Sequence, residues 1–287
     1  LDFRLREVFK VVEPVTVREG AGVRLKRTIA SRELDYLDPF LLLDHFGSDD
    51  PADYLAGFPM HPHRGIETVT YMLAGAVSHR DSLGNAGSIG AGDVQWMTAG
   101  GGIMHEEMPQ PVDGKMAGFQ LWVNLPAQYK MTAPKYQEFA SEEIPELHRS
   151  DGIQIRVIAG TVDDITGPVS EIVADPIYLD VTIPPQGMFN HMIQRGHTAF
   201  AYLFDGVAAF GPTDPKGGAT VGHPKLVVFA DGDFVQIRTG EESARFLLVS
   251  GKPLYEPIVR YGPFVMNTPE EIQQALQDLR DGTFAME

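Results

Sequence analysis

Residues 58–75 read FPMHPHRGIETVTYMLAG, two histidines flanking a proline just before a run of Ile, Val, Thr, Tyr and Leu that ends on glycine. β-Branched and aromatic residues suit a pleated strand, and Gly punctuates it. Comparable segments recur outward from this one. Besides 67–73 they lie at 93–97, 118–123, 153–158, 177–182, 199–204, 226–229 and 245–249, bounded by Gly, Pro, Asp and Asn. Short strands at that spacing predict an all-β sandwich or barrel.

One helix is expected, at the C-terminus. Ile272, Ala275, Leu276 and Leu279 recur at i, i+3, i+4 and i+7, one apolar stripe at helical period. Thr268 can cap it, Pro269 suits its first position, Glu271 completes a capping box and Gly282 is placed to end it.

A weak repeat organises the rest. YMLAG at 71–75 resembles YLFDG at 202–206, and GDVQWM at 92–97 resembles GDFVQI at 232–237, as two copies of one small barrel would. Residues 128–152 are charged, contain Pro134 and Pro145, and lack a strand pattern until Ile153. The expected domains are therefore 1–135 and 136–287. Sliding YMLAG onto YLFDG sets Met192, Gln194 and Thr198 opposite His61, His63 and Glu67. Sliding Gly-Asp onto Gly-Asp sets Arg245 and Leu247 opposite His105 and Glu107. The second copy is thus expected to lack whatever the first one binds.

Composition bounds the function. A formal net charge of −16 with no basic patch opposes direct binding to a phosphate backbone. The absence of cysteine excludes disulfides, thiolate metal sites and redox thiols, and fits a reducing compartment. No apolar run is long enough for a membrane helix, so a cytoplasmic location is expected. The chain opens on Leu1 instead of Met, as expected where an upstream segment has been removed or trimmed.

Side chains alternate along a strand, so His61 and His63 share a face, roughly 7 Å apart, and can converge on one ion as the strand curves. A lone His-x-His more often marks a polar strand end. The segment GGGIMHEEMP at 100–109, however, gives His105 and Glu107 the same i, i+2 relation. Imidazoles and a carboxylate without sulfur suit Fe, Mn, Co, Ni, Cu or Zn, and four protein ligands on an octahedral ion leave two positions for substrate and oxygen. Parity alone also admits Glu67, four residues past His63, as the carboxylate.

In order, HPHRGIETVTYMLAG, HRDSLGNAG, GAGDVQWMTAGGGIMHEEMP, QLWVNLP and RYGPFVMNTPEEI resemble the signature of the pirin family of bicupins over nearly the whole chain. The resemblance implies two cupin domains, jelly-roll-like β-barrels, with a C-terminal helix. It implies a metal-binding cupin at 1–135 and, at 136–287, a cupin without the ligands. It implies one divalent ion per chain, Fe(II) first, held by His61, His63, His105 and Glu107. This settles the parity tie and leaves Glu67 to orient a ligand histidine. The implied activity is that of a metal-dependent quercetin 2,3-dioxygenase cleaving a small aromatic flavonol with O2, with Glu107 also as the catalytic base. The alternative is an iron-binding, redox-sensitive regulatory partner of other proteins, without turnover.

Other residues have plainer readings. Arg64 is expected in a structural ion pair, and Phe58, Met60 and Trp96 either line an apolar pocket or fill the core. Gly100, Gly101 and Gly102 form a turn that would permit close approach at the cavity mouth, and Glu106 faces either site or solvent. His45, His79, His148 and His223 are expected to be structural, and His191 and His197 solvated or core residues.

Overall fold

The computed structural model describes residues 3–285 apart from 111, 113 and 215. It is built almost wholly of strands, with one α-helix among the described residues, Pro269–Asp281. Two sheets run through one and the same seven-strand order. In the first, Lys135–Phe139, Val94–Thr98, Ile66–Ala74, Met116–Asn124, Phe40–Ser48, Val23–Ile29 and Val15–Glu19 are neighbours in that sequence. In the second, the same places are taken by Val8–Val12, Lys225–Phe229, Thr198–Phe210, Phe234–Gly251, Ile177–Ile183, Gln154–Ala159 and Glu146–His148. The all-β, two-cupin architecture is therefore as expected.

The first barrel is completed by a four-stranded sheet, Phe58–His63, Ile103–Gln110, Ala76–Asp81 and Ala86–Ile89. In the second, Thr198–Phe210 and Phe234–Gly251 run on without a break, and Met188–Met192 and Ala219–Gly222 pair with them.

The compact units do not divide at 135/136. One holds the chain up to Pro14 with Glu143–Pro253, and the other holds Val15–Glu142 with Leu254–Glu287. Each chain end belongs to the barrel more distant in sequence, held there by a buried cation. The Arg6 guanidinium donates to the carbonyls of His197, Gln194 and Ala230. Lys130 Nζ donates to Gly65 O, Asn124 Oδ1 and Val265 O at 2.7–2.9 Å. A buried ammonium tolerates such a site because three oxygens replace its water. Hydrophobic periodicity carries no record of these polar clasps, so the single cut missed them.

The helix begins and ends as expected, with Thr268 and Glu271 forming the capping box and Gly282 left-handed at φ 73°. Ile272 and Ala275 pack with Phe264, Met266 and Phe284, while Leu279 stays exposed. Among the described residues no helix is long and apolar enough to cross a membrane.

The repeat holds at its first match and fails at its second. Gly75, just after Ile66–Ala74, and Gly206, within Thr198–Phe210, both at positive φ, hold equivalent places. From them, Val77 pairs with Pro109 as Ala208 pairs with Thr239, and His79 with Glu107 as Phe210 with Ile237. Across the next ladder, His61 pairs with His105 as His191 pairs with Val235. The counterparts of His61, His105 and Glu107 are thus His191, Val235 and Ile237. Met192, Arg245 and Leu247 are not. A single extra residue between Met188–Met192 and Thr198 shifts the first alignment by one, which exchanges strand faces. The two Gly-Asp turns simply precede non-equivalent strands.

Candidate metal centre

The imidazoles of His61, His63 and His105 meet inside the first barrel. Their centroids are 4.9 Å apart for His61 and His63, 4.4 Å for His61 and His105, and 5.1 Å for His63 and His105. One nitrogen from each lies within 4.8 Å of the other two, and no second such group of three is gathered among the described residues. Alternation along Phe58–His63 and the antiparallel register with Ile103–Gln110 bring this about.

The proton positions follow from the partners. His61 Nδ1 lies 2.9 Å from Pro59 O, an acceptor, so that nitrogen carries the hydrogen and Nε2 the lone pair. Nε2 lies 3.1 Å from His63 Nε2. Neither ring nitrogen of His105 has a hydrogen-bond partner, although the residue is buried. Burial pushes His105 down to about 4. It pushes His63 well below the usual histidine range, with His105 and His61 adding to the effect. His63 and His105 are therefore neutral donors at pH 7. Converging lone pairs and orphaned buried nitrogens are costly alone and are satisfied by a cation, so the residues present fit a divalent metal ion.

Glu107 is buried on the same strand as His105 but outside the three-histidine group. Its carboxylate accepts from Thr70 Oγ1 at 3.3 Å and from Gln120 Nε2 at 3.4 and 3.5 Å. Gln120 Oε1 accepts from Trp122 Nε1 at 3.3 Å, which turns the amide nitrogen toward Glu107.

Glu67 plays a different part from the one expected. Its oxygens accept from Trp96 Nε1 at 3.1 Å and Thr98 Oγ1 at 2.8 Å. It sits an odd number of residues from Thr70, on the other face of Ile66–Ala74. It orients no histidine. Trp96 is core, not pocket, and Met60 is exposed.

Arg64 forms the expected structural ion pair, Nη1 donating to Asp278 Oδ2 at 2.7 Å with its guanidinium over the Phe284 ring. At Gly65 (φ 82°) a Cβ would lie 1.9 Å from Val265 O, so the turn after the histidines must be glycine. Gly100 and Gly102 likewise abut Thr132 O and Phe284 O, and their need for glycine is backbone packing. Glu106 pairs with Arg80 away from the site. His45, His79, His148 and His223 stay outside the group.

A cavity of about 530 Å³ opens onto His61 and His63, walled by Phe58, Gln120, Trp122 and Arg260 among others. Gln120 and Trp122 were not singled out in the sequence. Their i, i+2 spacing in QLWVNLP, a polar residue sharing a strand face with Trp, was the available signal.

The pattern of the family described as Pirin matches residues 22–123, and that of the Pirin C-terminal cupin domain matches residues 178–285. The chain is 45% identical over 287 residues, 99% of each chain, to a Pseudomonas aeruginosa protein whose name marks it provisionally as a quercetin 2,3-dioxygenase. It is 43% identical over 265 residues to human Pirin, covering 92% of this chain and 88% of that one. A crystal structure titled as quercetin 2,3-dioxygenase from Acinetobacter baumannii superimposes with a TM-score of 0.88 at 33% identity, over 98% of this chain and 99% of the other.

Proposed function

The chain belongs to the pirin family, and on that premise we propose that its first barrel is a metal-dependent dioxygenase site of the quercetin 2,3-dioxygenase kind, cleaving a flavonol with O2. The observation that carries the reading is the convergence of three imidazoles at the wall of an open cavity large enough for a flat phenolic molecule. His61, His63, His105 and Glu107 would hold one ion, Fe(II) first. Bound there, the ion would supply Lewis acidity toward the substrate hydroxyl and redox chemistry toward oxygen.

This chain's own groups do the rest. Glu107 accepts the proton of the flavonol 3-hydroxyl, a task for which a modest base suffices once the hydroxyl is acidified. Donors from Thr70 and Gln120 hold the carboxylate in place. Phe58 and Trp122 offer apolar walls to a planar ring system. The acidic surface suits a small phenol better than a phosphate.

The test loads the protein anaerobically with iron(II), adds quercetin, and follows oxygen uptake and carbon monoxide release beside His61→Ala. Turnover in the wild type that the variant loses is expected. Equal rates in both, or none in either across several metals, would overturn the reading in favour of a regulatory partner without turnover.

A further inference from the structure

The cavity wall carries two arginines in contrasting states. Arg27 is spoken for: Nε and Nη2 donate to Asp44 at 2.8 and 2.7 Å, and Nη1 meets Glu19 at 2.7 Å. Arg260 has no carboxylate within ion-pair distance among the described residues. It donates only to two carbonyls, Nη1 to Leu41 at 3.2 Å and Nε to Gly262 at 3.3 Å, which leaves Nη2 for a ligand. The residue is exposed, yet its head group is held in place. Its guanidinium lies 4.8 Å over the Trp122 ring, so the head group is fixed at the mouth. Desolvation and the nearby charge of Arg27 lower its pKa, while the more distant Asp35, Asp44 and Glu19 work the other way.

Arg260 and the histidines line one cavity. Trp122 stands edge-on to His63 at 5.2 Å, so the two steps of 4.8 and 5.2 Å keep the guanidinium carbon within about 10 Å of the His63 ring. The cavity of about 530 Å³ that both residues line accommodates one aromatic ring with oxygens toward the histidines and an anion toward Arg260. We infer that Arg260 is a specificity-determining residue, which makes the site favour, among planar hydroxylated aromatics, those carrying an anionic group such as a carboxylate on the side opposite their metal-binding oxygens. This rests on the dioxygenase reading for its hydroxyl end, and on Arg260 for its acid end.

Binding separates the two. Full-length, iron(II)-loaded protein is titrated calorimetrically without oxygen against 3,4-dihydroxybenzoate and against neutral 4-methylcatechol, as wild type, Arg260→Gln and Arg260→Lys. The expected result is a preference of about ten-fold or more for the acid, the range of a charge-assisted hydrogen bond. It should be abolished in Arg260→Gln and partly retained in Arg260→Lys, at equal metal content and unfolding midpoint. No preference in the wild type, or an undiminished one in Arg260→Gln, overturns the inference. Quercetin turnover is measured in parallel. Turnover without acid preference removes only this inference, and acid preference without turnover removes only the dioxygenase reading.

Discussion

The barrels around residues 58–110 and 188–239 share their strand order, yet one has a cavity against its histidines and the other has an apolar interior in the corresponding place. Where the first places His61, His105 and Glu107, the second places His191, Val235 and Ile237. Phe189, Phe210 and Phe246 pack together there with no exposed surface. Apolar replacement at two inward positions lets the interior close at native density, which stabilises the second barrel. Orphaned imidazoles in the first leave room for an ion and a ligand. One barrel buries apolar rings where the other gathers histidines.

The comparison breaks most visibly at the C-terminal segment. Deleting Leu254–Glu287 leaves all four expected ligands in place but removes the ion-pair partner of buried Arg64 and one of the three oxygens that hold buried Lys130. Metal content should fall to background, or the protein should become insoluble. A soluble fragment with wild-type iron content by elemental analysis would contradict this dependence.

The two glutamates sharpen it. Glu107→Ala should weaken iron binding by more than about 100-fold, beyond the range of residues that merely support a ligand. Glu67→Ala should leave iron affinity unchanged and cost about 1–3 kcal/mol by stranding Trp96 and Thr98. Metal titration and urea unfolding read the two effects, and the reverse ranking would make Glu67 the ligand.

In the second barrel, Phe246→Ala should cost about 3–5 kcal/mol with iron stoichiometry intact. A loss below about 1 kcal/mol in denaturant unfolding would mean that this core is not close-packed.

The smallest effect concerns His191, the one histidine kept at an equivalent position. Burial holds it near 4 instead of 6.5, and it stacks on Phe189. Between those values the unfolded chain binds more protons than the folded one. Stability therefore rises with pH across that window and is lost as pH falls from 6.5 through about 4. His191→Phe should remove on the order of 1 kcal/mol of that slope, read as the difference in unfolding free energy at pH 7 and pH 4.5. An unchanged slope would show that this histidine titrates normally.

Much of the protein was written in local pattern. Strand composition, the Thr268–Glu271 capping box and the paired i, i+2 motifs at 61/63 and 105/107 act over a few residues, and the alternation of strand faces suffices to predict that the histidines converge. Only the tertiary structure set Glu67 against Trp96 and Thr98 and Glu107 against Thr70 and Gln120, because parity counted along one strand says nothing about the bulge and the neighbouring ladder that set the final faces. It alone placed Gln120, Trp122 and Arg260 at the cavity, and gave each chain end to the other barrel. Those outcomes depend on contacts between residues more than a hundred positions apart, where a buried charge must find its oxygens, and no local periodicity encodes such a meeting.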